Sequence, residues 1–209
     1  MINFRYYKTR PFIAFVIFTA WLVGWLVDWG ISFLEQNSVS ATPPATTALL
    51  LVILGLYDRF LWKLPLFQYM VDVPNMNGRY KGNLNYTFNG KPGSPECTIE
   101  IVQTASKIKI CTYTKNHLGT VTESTSVAES IVKDESDFYS IYFFYQNGGT
   151  KESNQLDSHE GANFLKFIPA NNRHNRLAKL KGHYFTNRQT QTKGEIEAEF
   201  EGNELKREF

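Results

Sequence analysis

The stretch Lys193-Gly-Glu-Ile-Glu-Ala-Glu-Phe200 alternates between charged side chains and apolar or small ones. Its odd positions carry Lys or Glu, and its even positions carry Gly194, Ile196, Ala198 and Phe200. Successive side chains of an extended strand point to opposite faces, so this pattern places one face in a core and the other in water. The segment predicts a half-buried β-strand.

The same alternation recurs from Arg79 to Phe88 and in shorter segments separated by turn signals. About eight strands and no long helix fit into this all-β part of the chain. Eight antiparallel strands that close on themselves form a compact β-barrel with a filled core or one small ligand cavity, and an open sandwich is the alternative. The alternation predicts these inward-facing side chains: Tyr80, Leu84, Tyr86, Ile99, Ile101, Ile108, Ile110, Ile196 and Phe200.

The N-terminal part is apolar. Residues 12–27 carry no charge, and the apolar character continues to residue 34. A helix over residues 12–34 would extend about 35 Å, enough to cross a bilayer core of about 30 Å. A cleaved signal peptide ending near Val39-Ser40-Ala41 is the alternative. A second apolar stretch, residues 41–57, is at the short end for a crossing, so an interfacial or buried helix is its alternative.

Basic residues flank the outer ends of the two stretches: Arg5, Lys8 and Arg10 before the first, Arg59 and Lys63 after the second. The connection between the stretches has no Lys or Arg. The positive-inside rule therefore predicts a hairpin of two N-terminal transmembrane α-helices with both chain ends in the cytoplasm.

We divide the chain into a two-helix transmembrane anchor at residues 1–63, a connector at residues 64–76 and a cytosolic β-barrel at residues 77–209. One face of the first helix is rich in tryptophan and includes a carboxylate. It consists of Trp21, Trp25, Asp28 and Trp29. This face is interpreted either as an anchoring girdle at the outer interface or as a helix–helix contact face, since a carboxylate near a membrane span tends to find a partner.

Composition and motifs exclude several classes of protein. Lys and Arg total 22 and Asp and Glu total 20, so the net charge of +2 argues against a polycationic coat for DNA or RNA polymers. The four histidines are scattered, and no metal-site spacing, P-loop, nucleophile elbow or dinucleotide fingerprint occurs. We expect a non-enzyme without catalytic residue, metal or cofactor. Cys97 and Cys111 are expected as reduced core thiols, with a disulfide between neighbouring strands as the alternative.

A run of basic residues favours binding over catalysis. Between residues 161 and 194 there are seven basic side chains and no acidic one: Lys166, Arg173, Arg176, Lys179, Lys181, Arg188 and Lys193. A local positive field in a nearly neutral chain suits a small anion such as a phosphorylated nucleotide, or a surface next to anionic lipid.

Three segments carry a family resemblance: Val73-Pro-Asn-Met-Asn-Gly-Arg-Tyr80, Leu180-Lys-Gly-His-Tyr-Phe-Thr-Asn-Arg188 and Lys193-Gly-Glu-Ile196. With two N-terminal helices before a β-rich domain, the chain resembles the two-transmembrane, β-strand-rich effectors of bacterial cyclic-oligonucleotide anti-phage defence (CBASS). The resemblance implies a cytosolic barrel that binds a cyclic dinucleotide and a membrane part that disrupts the inner membrane, killing the infected cell.

We place the ligand site on the penultimate strand, where alternation puts Tyr184, Thr186 and Arg188 on one face. Arg188 could pair with a phosphate, Tyr184 could stack on a base, and Thr186 could donate a hydrogen bond. Arg79 and Tyr80 are weaker candidates, since the last strand of a closed barrel pairs with the first.

The expected mechanism is self-association. Two helices cannot enclose a wide pore, so membrane disruption requires several protomers, and ligand can drive assembly only by binding the assembled state more tightly. The alternative function is a membrane-anchored, lipocalin-like barrel that binds a lipid or another hydrophobic ligand.

Overall fold

The computed structural model describes residues 4–38, 42, 44–88, 90–115, 119–135, 138–149, 158–171, 176–188 and 191–209. It contains two compact units. The first comprises Met1–Asp72 with Thr104–Lys107, and the second comprises Val73–Gln103 with Ile108–Phe209. The boundary after Asp72 falls within the predicted connector, residues 64–76.

The first unit is helical. Its main helix, α1 (Thr9–Gln36), has 28 residues, and it is the one helix among the described residues that is long and apolar enough to cross a membrane. The next helix, α2 (Thr46–Arg59), has 14 residues, which corresponds to about 21 Å. That length is short of the bilayer core, so the predicted second crossing stays a prediction. The remaining helical segments are the 3₁₀ turns Phe4–Tyr6 and Leu61–Lys63 and the single turn α3 (Pro65–Gln68).

Aromatic rings hold the helical unit together. Tyr57 on α2 lies 5.2 Å from the ring of Phe15 on α1, and its hydroxyl donates a hydrogen bond to the carbonyl of Phe67 at 3.0 Å. The residues of α1 that this packing buries are Phe12, Thr19 and Val23. The tryptophan face of α1 lies elsewhere on the helix and is exposed: Trp21, Trp25, Asp28 and Trp29.

The second unit is a nine-stranded antiparallel sheet. Its strands are β1 (Gly78–Phe88), β2 (Lys91–Gly93), β3 (Glu96–Gln103), β4 (Ile108–Lys115), β5 (Val121–Lys133), β6 (Tyr139–Asn147), β7 (His159–Ile168), β8 (Lys179–Asn187) and β9 (Lys193–Gly202). Each strand from β3 to β9 pairs with the next in the chain, β1 pairs with both β3 and β9, and the short β2 pairs with β1. Eight strands therefore close into a barrel, which confirms the predicted barrel and makes the sandwich alternative wrong.

The predicted alternation of side chains is confirmed. Six of the nine side chains predicted to face inward are buried: Tyr80, Ile99, Ile101, Ile108, Ile110 and Ile196. The other three are half-buried: Leu84, Tyr86 and Phe200. Burial of these inward-facing side chains supplies hydrophobic free energy that stabilises the barrel.

A β-bulge interrupts the alternation in β5. The register with β6 shifts between Ser126 and Ala128, and beyond the shift Glu129 pairs with the buried Phe143. The hydroxyl of Ser126 donates to the carboxylate of Glu129 and accepts the backbone N–H of Ile110 at 2.9 Å. The bulge thus changes the direction of β5. The N–H of Ile110 donates to the Ser126 side chain and not to a backbone carbonyl.

The two cysteines face opposite sides of the barrel wall and are both free. Cys97 pairs with Gly82 on the inward row, whereas Cys111 pairs with Glu100, whose neighbours Ile99 and Ile101 point inward. The disulfide alternative is therefore wrong, and only Cys97 is a core thiol, because Cys111 is half-buried. Burial raises the pKa of the Cys97 thiol to about 12, so it stays protonated and unreactive near neutral pH.

An ion pair on the outer wall holds the C-terminal residues. Nη1 of Arg79 lies 2.6 Å from Oε1 of Glu100, with both side chains 4% exposed, and Nε of Arg79 lies 2.7 Å from Oε2 of Glu201. The backbone N–H groups of Lys206 and Arg207 donate to Oε1 of Glu100 at 2.9 and 3.2 Å. Residues after β9 therefore cover a charge pair that would otherwise face water.

The wall of the barrel tolerates no side chain at Gly182. A Cβ atom there would collide with the backbone carbonyl of Phe164 on the neighbouring strand. We expect Gly182→Val to destabilise the fold by about 1–3 kcal/mol through overpacking, lowering the melting temperature of the detergent-solubilised full-length protein by several degrees. Gly202→Ala is the control, because nothing lies within 4 Å of a Cβ there. Equal melting temperatures for both variants would contradict the close approach.

Removal of Arg79 should destabilise the fold because it leaves the carboxylate of Glu100 buried without its cation. We expect Arg79→Met to lower the free energy of unfolding by about 3–5 kcal/mol. Lys81→Met is the matched control: its ammonium lies 3.8 Å from Glu96 with both side chains more than half exposed, and exposed pairs contribute about 0–1 kcal/mol. Denaturant unfolding measures both, and a small, equal effect would show that the Arg79 pair contributes no more than a surface pair.

Candidate binding site

The interior of the barrel is apolar in one half and polar in the other. The apolar half is filled by aliphatic side chains that are at most 2% exposed: Ile99, Ile101, Ile110, Ile141, Leu165, Leu180 and Ile196. The other half, next to the β8–β9 connection, contains tyrosine, threonine and asparagine side chains: Tyr86, Tyr145, Asn163, Tyr184 and Thr186. Polar groups that converge on one end of a barrel are typical of a ligand site.

Three of these residues belong to one register row across five strands, whereas Tyr145 and Thr186 belong to the adjacent row, in which each pairs with Gly161. Tyr86 on β1 pairs with Gly194 on β9, which pairs with Tyr184 on β8. Tyr184 in turn pairs with Asn163 on β7, and Asn163 pairs with Phe143 on β6. Since paired residues of antiparallel strands lie about 4.5–5.5 Å apart, the row forms a continuous lining.

Glycines give the tyrosine rings their positions. A Cβ atom on Gly194 would lie 2.8 Å from Cε1 of Tyr184, and one on Gly161 would collide with the ring of Tyr145. Each ring therefore lies against a stretch of wall that carries no side chain. This arrangement presents aromatic surface to the interior, where a flat ligand could stack.

The tyrosine hydroxyls remain protonated at neutral pH. Burial raises the pKa of Tyr184 well above its usual range, the phenols of Tyr145 and Tyr86 raise it further, and the guanidinium of Arg188 lowers it. Burial likewise raises the pKa of Tyr145 to about 12, again with Arg188 acting in the opposite direction. Neutral phenols can donate hydrogen bonds to an anion, whereas phenolates would repel it.

Arg188 lies at the end of β8, as the sequence predicts for a residue at the mouth. Its Nη2 atom is 2.9 Å from Nε2 and 3.1 Å from Nδ1 of His159, the first residue of β7. The ring of His159 meets that of Tyr145 edge-on, with centroids 6.2 Å apart. A guanidinium therefore sits beside the phenols at the mouth of the polar half.

The other predicted ligand residues have different surroundings. Thr186 is buried next to this mouth, but its hydroxyl already accepts the backbone N–H of Thr192 at 3.0 Å. Tyr80 lies six positions before Tyr86 on β1, and its hydroxyl donates to the carbonyl of Met76 at 3.0 Å. Arg79 forms the outer-wall ion pair described above. The structure thus brings Tyr184, Thr186 and Arg188 together and places Arg79 and Tyr80 apart from them.

Three residues of the basic run are paired with carboxylates on the outer wall. Lys179 and Lys181 face Glu199 and Glu197 across the β8–β9 pair, at 2.5 and 3.2 Å. Lys166 lies 3.7 Å from the carboxylate of Asp134. Arg173 falls outside the described residues. Arg188 lies instead beside His159 and the phenols at the mouth of the polar half.

Sequence reasoning missed three lining residues. The sequence pattern places Tyr86 inside the barrel as a core residue, and it assigns no ligand role to Tyr145 or Asn163. The available signal was alternation on β6 and β7, which places Tyr145 with Ile141 and Asn163 with Leu165 on the inward face.

Comparisons with known proteins agree with this geometry. Residues 71–199 match the family model described as "Cap15, cyclic dinucleotide receptor domain". The chain is also 27% identical over 195 residues to CD-NTase-associated protein 15 of Yersinia aleksiciae, a match that covers 90% of this chain and 88% of that protein. These findings confirm the resemblance to CBASS effectors noted from the sequence. Because the matched segment exceeds half of the chain and contains the strands that line the polar interior, the chain belongs to the Cap15 family, which is defined by a cyclic dinucleotide receptor domain.

Proposed function

We propose that the chain is a membrane-anchored effector whose cytosolic barrel binds a cyclic dinucleotide and whose helices then assemble to disrupt the bacterial inner membrane, killing the infected cell. The observation that carries the proposal is the overlap of two regions. The receptor-domain match spans residues 71–199, and the polar half of the barrel interior lies within it.

The chemistry of that half suits the ligand class. A cyclic dinucleotide carries two phosphodiester charges and two flat bases. Arg188 supplies a cation at the mouth, and the rings of Tyr184 and Tyr145 supply surfaces on which bases can stack. Thr186 lies between Tyr184 and Arg188 along the chain and forms part of the barrel wall. We assign Arg79 and Tyr80 a structural role, because their polar atoms are already bonded elsewhere.

The polar lining counts against the lipid-binding alternative. A barrel that holds a hydrophobic ligand requires an apolar cavity, and here the apolar half is filled by aliphatic side chains such as Leu165 and Leu180. The half with polar groups contains arginine, tyrosine and asparagine. We therefore favour an anionic, aromatic ligand, bound and not chemically changed, so the proposed protein is a receptor and not an enzyme.

For the membrane part we propose a two-helix hairpin with both chain ends in the cytoplasm. α1 makes the first crossing. α2, with the residues on either side of it, makes the second, and the basic residues at the two outer ends set the orientation. This topology places the barrel, residues 77–209, in the cytoplasm, where a nucleotide signal is made.

Assembly would use the tryptophan face of α1. That face is exposed within the helical unit, so it is available for helices of other protomers, where packing and polar contacts hold helices together in lipid. Ligand shifts the equilibrium toward the assembled state only if the assembled state binds it more tightly.

Arg188→Ala should weaken ligand binding because it removes the cation at the mouth. We expect at least a 10-fold loss of affinity, since hydrogen bonds to charged groups contribute about 1.5–3 kcal/mol. Calorimetry of the detergent-solubilised full-length protein against a panel of 3′,3′-cyclic dinucleotides measures the loss. Lys181→Ala is the control, because Lys181 is on the same strand but is exposed and paired with Glu197. Unchanged affinity in Arg188→Ala, with a wild type that binds, would remove Arg188 from the site.

Trp25→Ala and Asp28→Ala should reduce killing without reducing ligand affinity, because they alter the face proposed for assembly. We expect crosslinking in membranes to show larger oligomers with ligand in the wild type and fewer in the variants. Leu26→Ala, an exposed α1 position off this face, should behave as wild type. If ligand leaves the oligomer distribution of a fully active wild type unchanged, assembly is not the switch.

A further inference from the structure

Asn163 on β7 has an unusual environment for a buried amide. Its side chain is 7% exposed, and its Oδ1 atom is buried without a hydrogen-bond partner among the residues that the structure describes. A buried carbonyl that accepts no hydrogen bond is destabilising, since it has lost its water and gained no donor. Such a group calls for an explanation in terms of function or of a missing donor.

The contrast with Asn147, another buried asparagine at the same end of the barrel, is direct. The amide nitrogen of Asn147 donates to the hydroxyl of Ser124 at 2.8 Å, and its Oδ1 accepts the backbone N–H of Gly149 at 2.8 Å. Asn147 therefore has an evident structural role. Within the described ranges of the chain, the carbonyl of Asn163 has no equivalent donor.

The position of Asn163 points it at the proposed ligand. It lies on the inward face of β7, between Phe143 and Tyr184 in the register row. The next inward position toward the mouth is Gly161, against which the ring of Tyr145 lies. A flat group stacked on Tyr184 would present its edge to the amide.

We propose that Asn163 reads the edge of one base of the bound cyclic dinucleotide and selects adenine; this rests on the proposed function. An amide offers one acceptor and one donor side by side. Adenine offers the complement, an exocyclic amino group beside a ring nitrogen, and asparagine forms a bidentate pair with it. The adenine amino group supplies the hydrogen bond that Oδ1 lacks, whereas uracil would have to supply it from its ring N3–H.

The first test separates binding from stability. Asn163→Leu removes both hydrogen-bonding atoms at similar volume. We expect at least a 10-fold loss of affinity for 3′,3′-cyclic di-AMP in calorimetry of the full-length protein in detergent, with a ligand-free melting temperature at or above that of the wild type. Asn147→Leu, the matched control, should lower the melting temperature because it breaks two made hydrogen bonds.

The second test changes the preference. Asn163→Asp keeps the shape but offers only acceptors, so it cannot donate to an adenine ring nitrogen, while it can accept two hydrogen bonds from a guanine edge. We expect the ratio of cyclic di-AMP affinity to cyclic di-GMP affinity to fall at least 10-fold. A residue with only a structural role would not change this ratio.

The outcomes distinguish this inference from the function on which it rests. A wild type that binds cyclic di-AMP, together with Asn163→Leu and Asn163→Asp variants that bind it equally well, would overturn the role of Asn163 and leave the receptor function intact. A wild type that prefers cyclic di-GMP or cyclic di-UMP would overturn the choice of adenine alone. A wild type that binds none of the three probes would contradict both the inference and the proposed function.

Discussion

Backbone hydrogen bonds between β1 and β9 join the two ends of the sheet, over register pairs from Arg79–Gly202 to Tyr86–Gly194. This closure leaves no free edge on the eight strands of the wall. It also limits the interior to a volume that inward side chains must share. A small barrel therefore accepts a ligand only where its own side chains are small or lie against the wall, and the glycine opposite Tyr184 provides such a place.

The two halves of the barrel interior differ in composition and in what they contribute to the protein. The aliphatic half supplies buried apolar area, which stabilises the fold. In the polar half, the carbonyl of Asn163 accepts no hydrogen bond from the part of the chain that the structure describes. Functional sites commonly carry such local costs, because groups arranged to bind a ligand are not arranged for stability. Under the proposed function, stability and ligand recognition therefore depend on opposite ends of one barrel.

Cross-strand ion pairs on the outer wall neutralise part of the basic run. Cross-strand pairing places Lys179 and Lys181 directly opposite glutamates of β9, so the charges of the two strands cancel locally. Arg188 lies one residue past the end of β8, beyond that ladder. The deep ion pair of Arg79 shows a third arrangement, in which residues after β9 cover the charges and join them to the backbone of the tail.

The sequence by itself determined the strands, their inward faces and the apolar N-terminal helix, because period-two and helical patterns are local and survive into the fold. It also places Tyr184 and Arg188 near each other, since they are four residues apart along one short segment. Only the tertiary structure decided that Tyr86 and Tyr145, far apart in the chain, meet at the same end, and that Arg79 turns outward to Glu100. Those outcomes depend on register, on the bulge in β5 and on closure, which are set by contacts between distant segments that no local pattern records.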